Sequence, residues 1–149
     1  MEIFVDADGC PVKDEVYRVA RRYGLSVTLV SNSWMRIPED ERFRLVQVAD
    51  HADAADDWIV ENVEPNDIVI TGDIPLASRC LKKDAAVLGL KGRPFTEHNI
   101  GNVLATRDLL TELRATGAKT SGPAPFEKSD RSRFLQELDK MIHAVRKRA

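Results

Sequence analysis

The chain has 149 residues, of which 43% are hydrophobic and 31% are charged, and its formal net charge is −2. This composition is typical of one folded globular domain and excludes an intrinsically disordered chain. The near-neutral charge balance excludes a strongly basic protein, so any nucleic-acid binding would depend on a local basic rim.

Two cysteines, Cys10 and Cys80, are too few for a disulfide framework or a zinc cluster. No apolar run is long enough to span a membrane, and the N-terminus enters a strand pattern without a leader pattern. We therefore expect a cytoplasmic protein that makes no use of a membrane.

Apolar runs alternate with stretches of helical periodicity. The predicted strands are, in chain order, "EIFV", "SVTLV", "RLVQV", "DIVIT" and "AAVLGL". The predicted helices between them run from Pro11 to Tyr23, with Gly24 as the stop, and over "DAADDWIVENV" and "PLASRCLKK". The stretches "SNSWMRIPEDER" and "KGRPFTE" are predicted loops. This alternation predicts an α/β fold with a mostly parallel five-stranded sheet and helices on both faces.

The region from about residue 98 onward is predicted to be a helical extension of the same domain, which spans residues 1–149. One helix is expected from His98 to Thr116, followed by a connection rich in glycine and proline. An apolar stripe from Phe134 to Val145 then predicts a final helix.

Acidic residues follow three of the predicted strands. Asp6 and Asp8 come directly after the first strand, Asp53 and Asp56 lie in the segment after the third, and Asp73 follows the fourth. Because the carboxyl ends of parallel strands meet at one edge of a sheet, these carboxylates are expected to converge and repel one another. Each of them also lies near a helix start, where an aspartate can simply cap the helix.

A divalent cation would remove the repulsion between these carboxylates. Mg²⁺ or Mn²⁺ binds carboxylate and water oxygens and needs few protein ligands. Two such ions roughly 3.5–4 Å apart can activate a water and stabilise the leaving oxygen in phosphodiester hydrolysis. The residues therefore predict a metal site, with Asp6 and Asp73 as direct ligands and the other three acids as ligands or water-orienting groups.

Several other residues could serve such a site. Lys13, on the first turn of the first helix, could neutralise the acids or hold a phosphate, or be an ordinary surface lysine. Asn32 could bind a phosphate or form a turn, and Trp34, in a polar loop, could stack on a base. Candidate basic rims for a nucleic-acid backbone include Lys82, Lys91, Arg93 and Arg131, which could also be ordinary solvated residues.

The stretches "VDADGCPVKDE", "DAADDWI", "TGDIPLA", "TGAKTSGPAPF" and "DRSRF" resemble, in order and spacing, the uncharacterised bacterial YaiI/YqxD family. That family is grouped with PIN-like domains, so the resemblance implies a PIN-like three-layer sandwich. PIN domains proper are metal-dependent ribonucleases with acids after the first strand, on a helix and after the fourth strand. The resemblance therefore implies a metal-dependent nuclease acting on RNA, with a site built from Asp6, Asp8, Asp53, Asp56 and Asp73.

Two other functions stay open at this point. The stretch "FVDADG" is similar to the first motif of haloacid-dehalogenase-like phosphatases, in which Asp6 would be the nucleophile and Asp8 a general acid. The later lysine and acidic pair of that mechanism have no counterpart around "TGDIPLA". The second alternative is a non-catalytic PIN-like module that binds RNA or a protein partner.

Overall fold

The computed structural model describes residues 1–51, 53–101 and 125–149. Its elements are β1 (Glu2–Asp6), α1 (Lys13–Tyr23), β2 (Ser26–Ser31), β3 (Phe43–Gln47), α2 (Ala54–Asn62), β4 (Ile68–Ile70), α3 (Ile74–Leu81), β5 (Ala86–Leu88), β6 (Pro94–Phe95) and α4 (Lys128–Arg148). Residues 97–101 are also helical. The remainder of the helix expected up to Thr116, and most of the connection after it, lie outside the described residues.

The strands form one sheet in the order β3-β2-β1-β4-β5-β6, and the first five strands of the chain are parallel. The prediction of a mostly parallel sheet is confirmed, but the count of five strands is wrong. The sixth strand, β6, pairs antiparallel with β5 inside "KGRPFTE", which the sequence predicts to be a loop. A two-residue strand that begins with proline has no readable period, and proline is tolerated there because β6 lies at the edge of the sheet.

The sheet is buried on both faces, as its continuous apolar strands require. Along β1, Ile3 and Val5 pack in the cluster that contains α1 and α4, whereas Phe4 packs in the cluster that contains α2 and α3. Successive side chains of a strand point to opposite faces, so the two clusters are the two sides of one sheet. The architecture is therefore helix, sheet, helix in three layers.

The helix boundaries follow local sequence signals. Gly24 adopts a left-handed conformation (φ 65°) that ends α1, as predicted. The helix itself begins at Lys13 rather than at Pro11. The predicted apolar stripe of the last helix is confirmed, because Phe134, Leu138 and Ile142 are fully buried. The helix α4 thus covers the same face of the sheet as α1.

The chain order reverses between β1 and β4, which are neighbours in the sheet although two strands separate them in sequence. In open parallel sheets, ligands bind outside the carboxyl ends of the strands at such a point. The end of β1 and the end of β4 are therefore where a site is expected. Among the described residues, no helix is both long and apolar enough to cross a bilayer.

Candidate metal centre at the carboxyl edge of the sheet

A buried threonine joins the acids that follow β1 and β4. The hydroxyl of Thr71 donates a hydrogen bond to Oδ2 of Asp6 (2.9 Å) and accepts one from the backbone N–H of Asp73 (2.9 Å). Thr71 has no exposed surface, so this link is held rigidly. The strand ends that sequence predicted to meet do meet, and Asp6 and Asp73 lie on either side of one side chain.

Asp73 also caps the helix that follows it. Its Oδ1 accepts the backbone N–H of Leu76 at 2.9 Å, which satisfies one of the unpaired donors of the first turn of α3. The capping role considered from the sequence is thus present. It occupies one carboxylate oxygen, and within the described part of the chain no hydrogen-bond donor contacts the other.

Asp8 is held by the end of β2. Its Oδ1 accepts the hydroxyl of Ser31 at 2.6 Å, and its Oδ2 accepts the backbone N–H of Asn32 at 2.8 Å. Asn32 therefore reaches the site through its main chain. Both oxygens of Asp8 already accept one hydrogen bond, so this residue is positioned more firmly than the other acids.

The acids of the third segment lie at the start of α2. Asp53 precedes the helix but makes no capping hydrogen bond through its side chain and is exposed. Asp56 is half-buried in the first turn. Burial and the negative charges of Asp73, Asp6 and Asp53 raise the pKa of Asp56 to about 6, although Arg79 acts in the opposite sense.

Asp6 shows the same electrostatic signature. Its pKa is raised by burial and by the charges of Asp73 and Asp8, while the hydrogen bond from Thr71 acts to lower it. Both shifts mean that the folded protein disfavours the ionised form of these carboxyls. The five acids thus form one mutually repelling group, called here the acidic cluster: Asp6, Asp8, Asp53, Asp56 and Asp73.

No basic side chain of the described residues forms an ion pair with the acidic cluster. Arg79 pairs instead with Asp57 at 3.0 Å. The ammonium group of Lys13 lies 3.7 Å from the sulfur of Met35. Lys13 is therefore close to the edge of the site but is not brought into contact with the acids.

The candidate basic residues lie in different parts of the structure. Lys91 and Arg93 follow β5 at the carboxyl edge, and the Nζ of Lys91 lies 4.0 Å from Oδ2 of Asp130. Arg131 donates to the carbonyl of Pro11 (2.7 Å) and to Oε1 of Glu15 (3.0 Å), so it ties α4 to the start of α1.

Lys82 lies elsewhere. It directly follows α3, which runs back across the sheet, so Lys82 reaches the amino edge and is not beside the acids. Lys82 thus lies at the opposite edge of the sheet from Lys91 and Arg93, and its predicted contact with a nucleic-acid backbone stays a prediction. The length of α3 separates Lys82 from the carboxyl end of β4.

Sequence reasoning missed the residues that hold the acids in place. Ser31 and Thr71 are hydroxyl residues at the ends of otherwise apolar strands, and neither has exposed surface. A buried polar residue must find a hydrogen-bond partner, so a hydroxyl at such a strand end was an available signal. Glu15, which does not contact the acids, has a buried Oε2 that accepts no hydrogen bond from the residues the structure describes.

The acidic cluster suits a hard cation, since all its side-chain donor atoms are carboxylate oxygens. No three histidine, cysteine or acidic side chains of the described residues are close enough together to act as joint ligands of one ion. Mg²⁺ is usually held by one or two carboxylates and keeps several waters. The arrangement therefore fits a cation bound through few direct contacts, and it does not fit a cage made only of protein ligands.

These features define an α/β protein with an acidic candidate site at the switch point of its sheet. Residues 4–144 match a family model described as "Uncharacterized BCR, YaiI/YqxD family". The chain therefore belongs to the YaiI/YqxD family, as its motifs suggested.

Relatives of nearly the same length support this assignment. A UPF0178 protein of Paramagnetospirillum magneticum is 56% identical over 146 residues, which are 98% of this chain and 97% of that protein. One of Parvibaculum lavamentivorans is 56% identical, covering 99% and 97%, and one of Nitrobacter winogradskyi is 50% identical, covering 99% and 94%. No solved structure matches the chain at a significant level.

Proposed function

We propose that the protein is a PIN-like, divalent-metal-dependent nuclease that hydrolyses phosphodiester bonds, with RNA as the favoured substrate. The observation that carries the proposal is the acidic cluster at the switch point, where carboxylates from three strand ends repel one another and no basic side chain of the described residues pairs with them. An isolated group of this kind destabilises the fold unless a cation shares its charge.

Asp6 and Asp73 are the residues that would hold Mg²⁺ or Mn²⁺ directly, and Asp56 would act on the ion through a water. Asp6 and Asp56 gain most from a cation because their ionised forms are the most disfavoured without one. A bound ion of this type supplies an activated water and charge stabilisation at the leaving oxygen. This chemistry does not require a histidine as a base.

The remaining groups position the reaction. Thr71 orients the carboxylate of Asp6 and fixes the backbone of Asp73, as outer groups do around metal ligands. Asp8, held on both oxygens by Ser31 and Asn32, can orient a water through its remaining lone pairs. Lys91 and Arg93, at the same edge, can contact the phosphates of a bound strand.

The function is tested by measuring two properties of the same protein. Mn²⁺ binding is measured by titration calorimetry, and cleavage of a labelled single-stranded RNA is measured with Mn²⁺ or Mg²⁺ present. We expect wild-type protein to bind the ion and shorten the RNA, and Asp6→Asn to lose both. Glu64→Gln, a surface change at the amino edge of the sheet, should retain both.

A non-catalytic module is the second candidate, and one observation favours it. The described residues contain no group of three ligands close enough to bind one ion jointly. If the protein is a non-catalytic module, the wild type would bind RNA whether or not Mn²⁺ was present and would leave the RNA intact. Cleavage that depends on Asp6 would exclude this candidate.

A further inference from the structure

The loop between β2 and β3 begins inside the candidate site. The backbone N–H of Asn32 donates to Asp8, and the backbone N–H of Ser33 donates to the hydroxyl of Ser31 at 3.1 Å. Trp34 comes two residues after Asn32, a chain distance of about 7 Å at most. The position of Trp34 is thus tied by main-chain hydrogen bonds to the acidic cluster.

Side chains in this loop alternate between the core and the solvent. Met35 and Ile37 are half-buried and pack against the core cluster on the α1 side of the sheet. Trp34 and Arg36 are exposed, and Trp34 has 72% of its surface accessible. The two inward residues therefore anchor the loop while the two outward residues project from it.

The exposure of Trp34 is unusual for this protein. Met1, at the chain terminus, is the only other exposed large hydrophobic residue among those the structure describes. The second tryptophan, Trp58, is half-buried beside Phe4 and under the guanidinium of Arg44. Burial of an aromatic side chain is strongly favourable, so this exposed ring has free energy to gain from a ligand that covers it.

Trp34 and Arg36 line a surface groove of about 780 Å³, which Leu45 and Glu39 also border. Arg36 forms no hydrogen bond or ion pair with the described residues, so its guanidinium is available to a phosphate. An aromatic face beside a cation is the combination that single-stranded nucleic acids use, because every base has a face that can stack.

We propose that Trp34 is a stacking platform for one unpaired base of a single-stranded nucleic acid, and that Arg36 holds a phosphate of the same strand. The ligand class follows from the proposed nuclease function, and the loop adds a binding subsite outside the acidic cluster. A protein partner is less well matched, since it needs about 800 Å² of complementary surface per side. Here one aromatic ring is flanked by Ser33, Arg36 and Glu39.

The experiment uses Trp58→Phe, in which Trp34 is the sole tryptophan and its emission reports on this loop alone. The probe is a single-stranded oligoadenylate, titrated with EDTA and again with Mg²⁺, and its intactness is checked on a gel. The matched ligands are an abasic strand of equal length, which keeps the phosphates, and the corresponding duplex. We expect quenching by oligoadenylate that the abasic strand and the duplex do not reproduce.

Affinity is measured in parallel by anisotropy of a labelled oligoadenylate. Trp34→Ala should weaken binding about 5- to 150-fold, the loss expected for one stacked base. Trp34→Phe should recover part of it, and Trp58→Phe alone should bind as the wild type does. Equal quenching by the abasic strand, unchanged affinity of Trp34→Ala, or an absence of binding in both buffers would each overturn the proposal.

Two outcomes separate this inference from the nuclease proposal. Base-dependent quenching of Trp34 without any Mn²⁺-dependent cleavage would keep the platform and remove the nuclease. Normal binding and cleavage by Trp34→Ala would keep the nuclease and remove the platform. Trp34 emission that changes with protein concentration but not with oligoadenylate would identify a self-association surface and contradict the proposal.

Discussion

The aspartates at the two edges of the sheet differ in the hydrogen-bond donors and charges that surround them. At the amino edge, Asp67 is nearly buried, and its two oxygens accept the backbone N–H groups of Glu2 and Glu64, each at 2.9 Å. At the carboxyl edge, Asp6 accepts one hydroxyl hydrogen bond and faces the charges of Asp73 and Asp8. Asp67 stabilises the fold through two backbone hydrogen bonds, whereas the charge of Asp6 has no basic partner among the described residues.

The difference shows how to separate a structural acid from a candidate ligand. Asp67 has a backbone donor for each of its oxygens, and these hydrogen bonds stabilise the native state. Asp6 and Asp56 have few donors and several like charges around them, so burial and these charges raise their pKa values and their ionisation opposes folding. Burial alone does not distinguish the two, whereas the surrounding charges and donors do.

The largest expected effects come from exchanging each aspartate for asparagine. Asp6→Asn should lower Mn²⁺ affinity by more than about 100-fold, since losing an outer-shell partner alone costs 10- to 100-fold. It should leave the unfolding free energy of the cation-free protein unchanged or higher. Asp67→Asn should keep Mn²⁺ binding but lose about 2 kcal/mol of stability, because an amide offers only one acceptor to two partly buried N–H groups.

These two variants are compared by calorimetry for Mn²⁺ and by urea denaturation for stability. The comparison between the edges fails if Asp67→Asn is the variant that loses the ion. It also fails if Asp6→Asn destabilises the cation-free protein as much as Asp67→Asn does.

Thr71→Val is expected to have the next largest effect. It removes the hydroxyl that holds Asp6 and the backbone of Asp73, so Mn²⁺ affinity should fall about 10- to 100-fold. The matched control is Thr28→Val, because Thr28 is also fully buried and its hydroxyl also makes two hydrogen bonds, donating to Glu2 and accepting from Nε of Arg44. Both variants should lose about 2 kcal/mol of stability from the two missing hydrogen bonds, and only Thr71→Val should affect the ion.

The pH dependence of stability sharpens the comparison further. Between the ordinary pKa of 3.8 and the folded value of about 6, the folded protein holds more protons on Asp56 than the unfolded chain does. The unfolding free energy of the cation-free protein should therefore fall as pH rises through this window and level off above it. A saturating cation binds the ionised carboxylates, so it should reverse the slope.

Urea denaturation from about pH 4 to about pH 7 measures this slope. Asp56→Asn should flatten it, leaving the smaller contribution of Asp6, whereas Asp57→Asn should not, because Asp57 is paired with Arg79. A stability that rises with pH in the cation-free wild type would show that the acids are compensated after all.

The smallest expected effect belongs to the basic rim. Arg93→Ala, at the carboxyl edge, should weaken RNA binding a few-fold and reduce the slope of log affinity against log salt by about one. Lys82→Ala is the matched control at the amino edge and should change neither. An equal loss of affinity in both variants would mean that RNA binding is not confined to the carboxyl edge of the sheet.

Much of the fold was predictable because burial on both faces imposes continuous apolar strands, and Gly24 marks the end of α1. The strand β6 was not predictable, because a strand of two residues is too short to show the alternation of apolar and polar residues. The acids themselves were visible from their position after strands. The residues that hold the acids, Ser31 and Thr71, were not identified from the sequence. Placing Lys82 at the amino edge required knowing the length and direction of α3, which the sequence pattern does not give.

The account is tested most directly by an anomalous difference map from crystals soaked in Mn²⁺. It predicts a peak at the carboxyl edge within about 2.3 Å of a carboxylate oxygen of Asp6 or Asp73. That peak should be absent in crystals of Asp6→Asn and retained in crystals of Asp67→Asn. A map with no peak at the acidic cluster, or with peaks only elsewhere on the protein, would contradict the account.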